Sequence, residues 1–221
     1  MKIERLILAA ATLLLAACEP AESPAPTQIP RDALTEPQVA ERTRAAAAPA
    51  RLHIYDTVRL EADLSALSDR QKEMIPLLID ASEIMDELFW LQAYGEREPF
   101  LASIENPALR RFAEINYGPW DRLADDRPFV AGYGPKPLGA RFYPQDMSKT
   151  EFEAWEQPGK DGLYSLVRRN ADGALTLVPY RQAYGPQLEK AAGLLRQAAE
   201  LAEDPGFSNY LRLRADALES D

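Results

Sequence analysis

The sequence predicts a mainly α-helical chain with one small antiparallel β-hairpin. In this α+β fold a central kinked helix is covered by a long irregular segment rich in aromatic residues and proline. Three observations carry the prediction. Residues 68–94 place apolar side chains at helical spacing. Residues 117–146 mix prolines 119, 128, 135, 137 and 144 with Tyr117, Trp120, Phe129, Tyr133, Phe142 and Tyr143, too much proline for long helices and too many rings for disorder. Residues 163–168 and 174–179 read as two strands joined by the turn-rich Asn170-Ala171-Asp172-Gly173.

The start of the chain reads as an export signal. Lys2 and Arg5 give a charged beginning, and the apolar stretch 6–15 is too short to span a bilayer as a helix. Leu15-Ala16-Ala17-Cys18 resembles the bacterial lipobox at all four positions, which implies cleavage before Cys18 and lipid attachment at that residue. Several acyl chains give stable anchoring where one gives marginal, reversible binding. Glu19, where inner-membrane lipoproteins often carry Asp, favours the outer membrane. The expected location is the bacterial cell envelope, lipid-anchored and facing the periplasm. Residues 1–17 are thus read as the signal peptide. Residues 18–50, rich in Pro and Ala, form a disordered tether, and residues 51–221 form the folded part.

Within that part, Leu52, Ile54, Val58, Leu60, Leu64 and Leu67 read as apolar anchors of a short extended piece and a turn. Ser68 and Gln71 have capping-box spacing at the start of the central helix. Met74, Leu77, Leu78, Ala81, Ile84, Met85, Leu88 and Gln92 share its broad face, and Ile75, Ile79 and Trp90 a narrower flank. Pro76 removes an amide and predicts the kink, and Gly95 ends the run. Residues 96–105 read as a polar loop. Asn106-Pro107 opens a helix to Asn116, with Asn as cap and Pro in the first turn. A short helix follows Met147, capped by Ser148 with Glu151 three residues on. Residues 186–203 and 207–218 are the last two helices, separated by Asp204-Pro205-Gly206. Residues 212–218 are still apolar-periodic when the sequence ends at Glu219-Ser220-Asp221 without a glycine cap, so a truncated chain is expected, with a frayed natural terminus as the alternative.

Composition narrows the chemistry. A net charge of -10 argues against binding nucleic acid, which demands clustered Lys and Arg. The single histidine, His53, and single cysteine cannot build a zinc site of the usual His/Cys kind. No internal disulfide is possible. His53 reads as a surface or packing residue. The catalytic and metal assignments from residues alone are therefore none, and no cofactor is expected in this chain. Asp86, on the narrow apolar flank of the central helix, is a possible buried acid. It either has a raised affinity for its proton or pairs with Arg110, Arg111 or Arg122. Glu83 and Glu87 read as a solvated acidic face. Unaided, the aromatic segment 117–146 is either a packing cover or the wall of a binding groove.

Three phrases carry a family resemblance: IMDELFWLQAYG at 84–95, RRFAEINYGPWDRL at 110–123 and GPKPLGARFYPQDMSKTEFEAW at 134–155. With SLVRR, VPY and LRLRADAL they resemble the N-terminal part of bacterial lipoprotein relatives of the dipeptidyl-peptidase III family of zinc metallopeptidases. The resemblance implies a two-lobed hydrolase whose zinc sits on two histidines and a glutamate in a C-terminal portion, with another glutamate as base. None of those positions occurs in this chain. Zinc is implied for the full-length family only. For residues 51–221 the resemblance implies an N-terminal region that supplies groove wall, with Tyr117, Trp120 and Tyr143 as groove-lining residues. It would not be catalytic alone. The implied partners are the membrane, through the lipid, and the missing C-terminal catalytic portion. A stand-alone periplasmic interaction or structural lipoprotein is the alternative.

Overall fold

A computed structural model describes residues 50–220 of the chain. The stretch read as a signal peptide, Cys18 and nearly all of the expected tether lie outside the described residues. The body is mainly helical, with two small two-stranded antiparallel sheets.

Helix α1, Asp69–Ala93, is the longest element. Ser68 Oγ accepts the Gln71 amide at 3.2 Å and Gln71 Oε1 accepts the Ser68 amide at 3.0 Å, so the capping box is formed in both directions. Pro76 lies inside the helix. Met74, Ala81, Ile84 and Leu88 of the broad face are buried, and Trp90 buries from the narrow flank, whereas Ile79 and Met85 stay exposed. The Gly95 amide closes the end on the Trp90 carbonyl at 2.9 Å.

Helices α6 (Gly185–Leu201) and α7 (Pro205–Ser220) pack with α1. Their meeting surfaces are small: Ala191, Ala192, Ala198, Ala199 and Ala215 are all buried. Met74 and Leu211 fill the space around Ala198 and Ala199. Leu88 packs with Leu166, Tyr184 and Leu188, which carries this core across to the hairpin.

That hairpin pairs β3 (Ser165–Arg169) with β4 (Leu175–Pro179) in the register Leu166↔Val178 and Arg168↔Thr176. Asn170 Oδ1 accepts the amides of Asp172 and Ala174, so the turn is held by the side chain that begins it. Tyr180–Ala183 then forms one helical turn, α5, before α6.

Two regions differ from the sequence reading. The expected loop at 96–105 contains a short helix, α2, at Arg97–Ala102. Its polar residues hid an apolar side: Phe100 and Leu101 are buried, as is Ile104 just beyond the helix. The expected anchors at 52–67 mostly face water. Leu52–Ile54 is a 3₁₀ turn, and Leu52 packs on the core with Tyr55. Val58 and Leu60, by contrast, are 72% and 90% exposed, because the segment between the turn and α1 runs over the surface.

Helix α3, Pro107–Asn116, begins and ends where the sequence placed it, with Asn106 Oδ1 accepting the amides of Ala108 and Leu109. Residues 117–146 are ordered but irregular. They contain only the two-residue ladder of β1 (Trp120–Asp121) with β2 (Arg127–Pro128). The helix that follows, α4, is Lys149–Ala154, and Ser148 Oγ accepts the Glu151 amide.

Candidate functional site

The end of α1, helix α2 and the irregular segment enclose an open cleft of about 620 Å³, within the size range of small-ligand pockets. Local backbone chemistry sets its shape. Gly95, at φ 142°, turns the chain from α1 into α2 and brings Pro99, Phe100 and Ser103 to one wall. The other wall comes from Trp120 and the run 133–145. Two polar tethers hold that run in place. The Trp120 indole N–H donates to the Gly134 carbonyl at 2.9 Å, and the Tyr94 and Tyr133 hydroxyls share a 2.6 Å hydrogen bond. Burial, together with that bond, pushes the Tyr94 phenol well above its ordinary value, so it stays a neutral hydroxyl.

Aromatic contacts give the walls stiffness. Tyr94 lies 4.3 Å from Phe100 between ring centroids, and Tyr133 meets Phe100 and Trp120 edge-on at 5.9 Å and 6.2 Å. Beneath them Phe112, fully buried, meets Phe129 at 4.5 Å. Asp121 anchors the far side: it is 3% exposed, accepts from Arg51 Nε at 2.7 Å and takes the Leu123 amide. The arginine holds the Asp121 carboxyl below the usual carboxylate range.

Trp120 lines the cleft. Tyr117 and Tyr143 are not among its lining residues. Tyr143 lies directly behind the wall, against Gly139. A Cβ at Gly139 would come within 2.3 Å of the Tyr143 ring, and the glycine's φ of +70° is one that side chains rarely adopt.

Asp86 is half-buried on α1 and accepts a 2.5 Å hydrogen bond from the Tyr117 hydroxyl. Tyr117 caps α3 in a left-handed conformation, φ 54°, which sets its ring edge-on to Phe89 at 4.7 Å with the Arg122 guanidinium above it at 5.5 Å. The Asp86 carboxylate raises the Tyr117 phenol. The arginines weighed as partners for Asp86 are engaged elsewhere. Arg110 donates to the Ile104 carbonyl, Arg111 to Glu114, and Arg122 to the Ile115 carbonyl.

Sequence reasoning did not find Tyr94, Tyr133 or Arg141 as site residues. The one available signal was the density of Tyr, Pro and Gly in 133–145. Nor did it find Arg97, which bridges to Glu114 at 2.7 Å and lies over the Trp90 ring.

Among the described residues the donor set does not fit a hydrolytic zinc. His53 is exposed, and among the described residues no three His, Cys, Asp or Glu side chains gather where they could hold a metal ion.

The described residues form a helical body that carries an aromatic cleft. The structural comparisons give that fold its closer relation, to dipeptidyl-peptidase III. Dipeptidyl-peptidase III from Caldithrix abyssi is similar at a TM-score of 0.68 and 34% identity, covering 81% of this chain and 34% of that one. The enzyme of the same name from Corallococcus sp. strain EGB is similar at 0.66 and 31% identity, covering 83% and 35%. The chain is thus related in structure to dipeptidyl-peptidase III proteins. Among curated proteins, Nudix hydrolase 3 of Arabidopsis thaliana is 25% identical over 255 residues, covering 83% of this chain and 32% of that protein. No family model matches the chain. The chain spans about a third of the length of each of these relatives.

Proposed function

We propose that this chain is the lipid-anchored N-terminal region of a dipeptidyl-peptidase III-like zinc hydrolase. In this reading it contributes groove wall, holds no metal of its own and does not catalyse alone. The observation that carries the reading is the pairing of likeness and coverage: four-fifths of the chain superposes on a peptidase, but on only a third of it. The aromatic cleft supports a role in holding an extended peptide, since tightly packed rings and prolines offer apolar contact at little conformational cost. The donor inventory supports a non-catalytic role, because peptide hydrolysis of this kind needs a metal that polarises a carbonyl and activates water. Attachment at Cys18 would fix the groove at the outer membrane, facing the periplasm.

The test uses the full chain isolated from membranes. Mass spectrometry is expected to find a lipid-modified Cys18, and Cys18→Ser is expected to release the protein into the soluble fraction. A neutral capped peptide is expected to bind, and a dipeptidyl arylamide supplied with zinc is expected to remain uncleaved. An unmodified Cys18 would overturn the anchoring. Zinc-dependent turnover proportional to chain concentration would overturn the non-catalytic part.

A further inference from the structure

Arg141 stands at the cleft, Arg168 lies near enough behind it for the two charges to interact, and neither belongs to an ion pair among the described residues. Arg141 lines the cleft, and its side chain is exposed. Its backbone is fixed on one side by its own amide, which donates to the Gln92 carbonyl at 3.0 Å. On the other side the next residue, Phe142, gives its carbonyl to the Val167 amide at 2.9 Å and to Arg168 Nη1 at 3.2 Å. Arg141 therefore rides on a strut stitched between α1 and β3, with Arg168 bound to the same strut.

Arg168 is half-buried and gives Nη1 to two carbonyls, those of Phe142 and Val167. Removal from water and the nearby charge of Arg141 both disfavour its cation. The charge of Arg141 also reaches the Tyr94 phenol on the cleft wall. No carboxylate among the described residues neutralises either cation, so the pair leaves a local positive potential that an anion can answer. Glu96, the one carboxylate among the lining residues described, forms no ion pair with Arg141.

We propose that the cleft selects peptides carrying a carboxylate, which Arg141 binds as a charge-assisted pair while Arg168 adds positive potential behind it. Phe100, Trp120 and Tyr133 then take the neighbouring apolar residue. The inference rests on reading the cleft as a peptide groove and adds the chemical class of peptide. An acidic side chain and a free C-terminus offer the same group, so the experiment separates them.

Isothermal titration calorimetry of the full chain would compare three peptides: Ac-Phe-Pro-Glu-amide, Ac-Phe-Pro-Ala with a free C-terminus, and the neutral Ac-Phe-Pro-Gln-amide. At least one carboxylate peptide is expected to bind about tenfold more tightly than the neutral one, the gain of one exposed charge-assisted pair. Whichever carboxylate peptide leads identifies the source. In Arg141→Gln the ratio is expected to fall to about one, and in Arg141→Lys to keep part of its value. In the native chain the ratio should shrink at high salt. A merely structural role for Arg141 would not produce that salt dependence or the rescue by lysine. Equal affinity for all three peptides, or a preference that survives Arg141→Gln, overturns the carboxylate assignment and leaves the groove reading standing. No binding of any peptide overturns both.

Discussion

The bundle of α1, α6 and α7 and the aromatic unit around the cleft solve the packing problem in different ways. In the bundle, alanines at 191, 192, 198 and 199 let helices approach closely, and leucines fill what remains. Around the cleft, rings meet at defined angles, and irregular backbone is held by single polar tethers such as Trp120 to Gly134 and Arg51 to Asp121. Removing one alanine contact costs the bundle little, whereas removing one tether frees a whole stretch of wall. The comparison separates a scaffold from a region whose shape rests on individual contacts, the region we propose as groove wall.

The largest effect should come from Phe112→Ala, which empties the fully buried position against Phe129 and Tyr55. A loss of about 3–5 kcal/mol is expected in urea unfolding. Near-UV circular dichroism should fall more than the helical far-UV signal, because the bundle keeps its own core. Equal loss of both signals would mean that the two regions unfold as one.

Asp121→Asn should cost about 2 kcal/mol, less than a fully buried pair because Arg51 keeps access to water. The same contact gives the fold an acid limit. Asp121 and Glu114 are both held below their ordinary values of 3.8 and 4.5, by Arg51 and by Arg111 with Arg97. Their contribution is present above those ordinary values and is lost as pH falls through the lower folded ones. The melting temperature of the native chain should therefore drop on acidification below about pH 4, and less steeply in Asp121→Asn. Parallel acid limbs would show that the pair carries no linkage.

Ser68→Ala removes one half of the α1 capping box and should cost about 1 kcal/mol, read as a shifted unfolding midpoint. Smallest of all should be Arg196→Gln on the outer face of the bundle. Arg196 bridges Asp216 and Glu219 in open solvent, so its replacement should leave the midpoint within experimental scatter. A clear loss there would place stability on surface charge and sink the contrast between the regions.

How much of this was legible depended on which region was read. Caps identified the starts of α1, α3 and α4, where a single hydroxyl or amide decides where the helix begins, and periodicity identified α6 and α7. The hairpin followed from its turn, where Asn170 supplies the bonds that hold it. Helix α2 was missed because its six residues carry Arg97 and Glu98 on one side, and only tertiary packing reveals the burial of Phe100 and Leu101. Val58 and Leu60 looked like anchors because hydrophobicity alone does not say which apolar residues the core can reach. At the cleft, Trp120 was legible as an aromatic among prolines. The Tyr94–Tyr133 bond and the Arg141–Arg168 corner join residues distant in sequence and had no local signature.

The central proposal is that this polypeptide supplies groove wall and holds no metal of its own. Equilibrium dialysis of the full chain against micromolar zinc, followed by elemental analysis, tests it directly. The account predicts bound zinc far below one ion per chain. One tightly held zinc per chain, retained on gel filtration and released by a chelator, would contradict it.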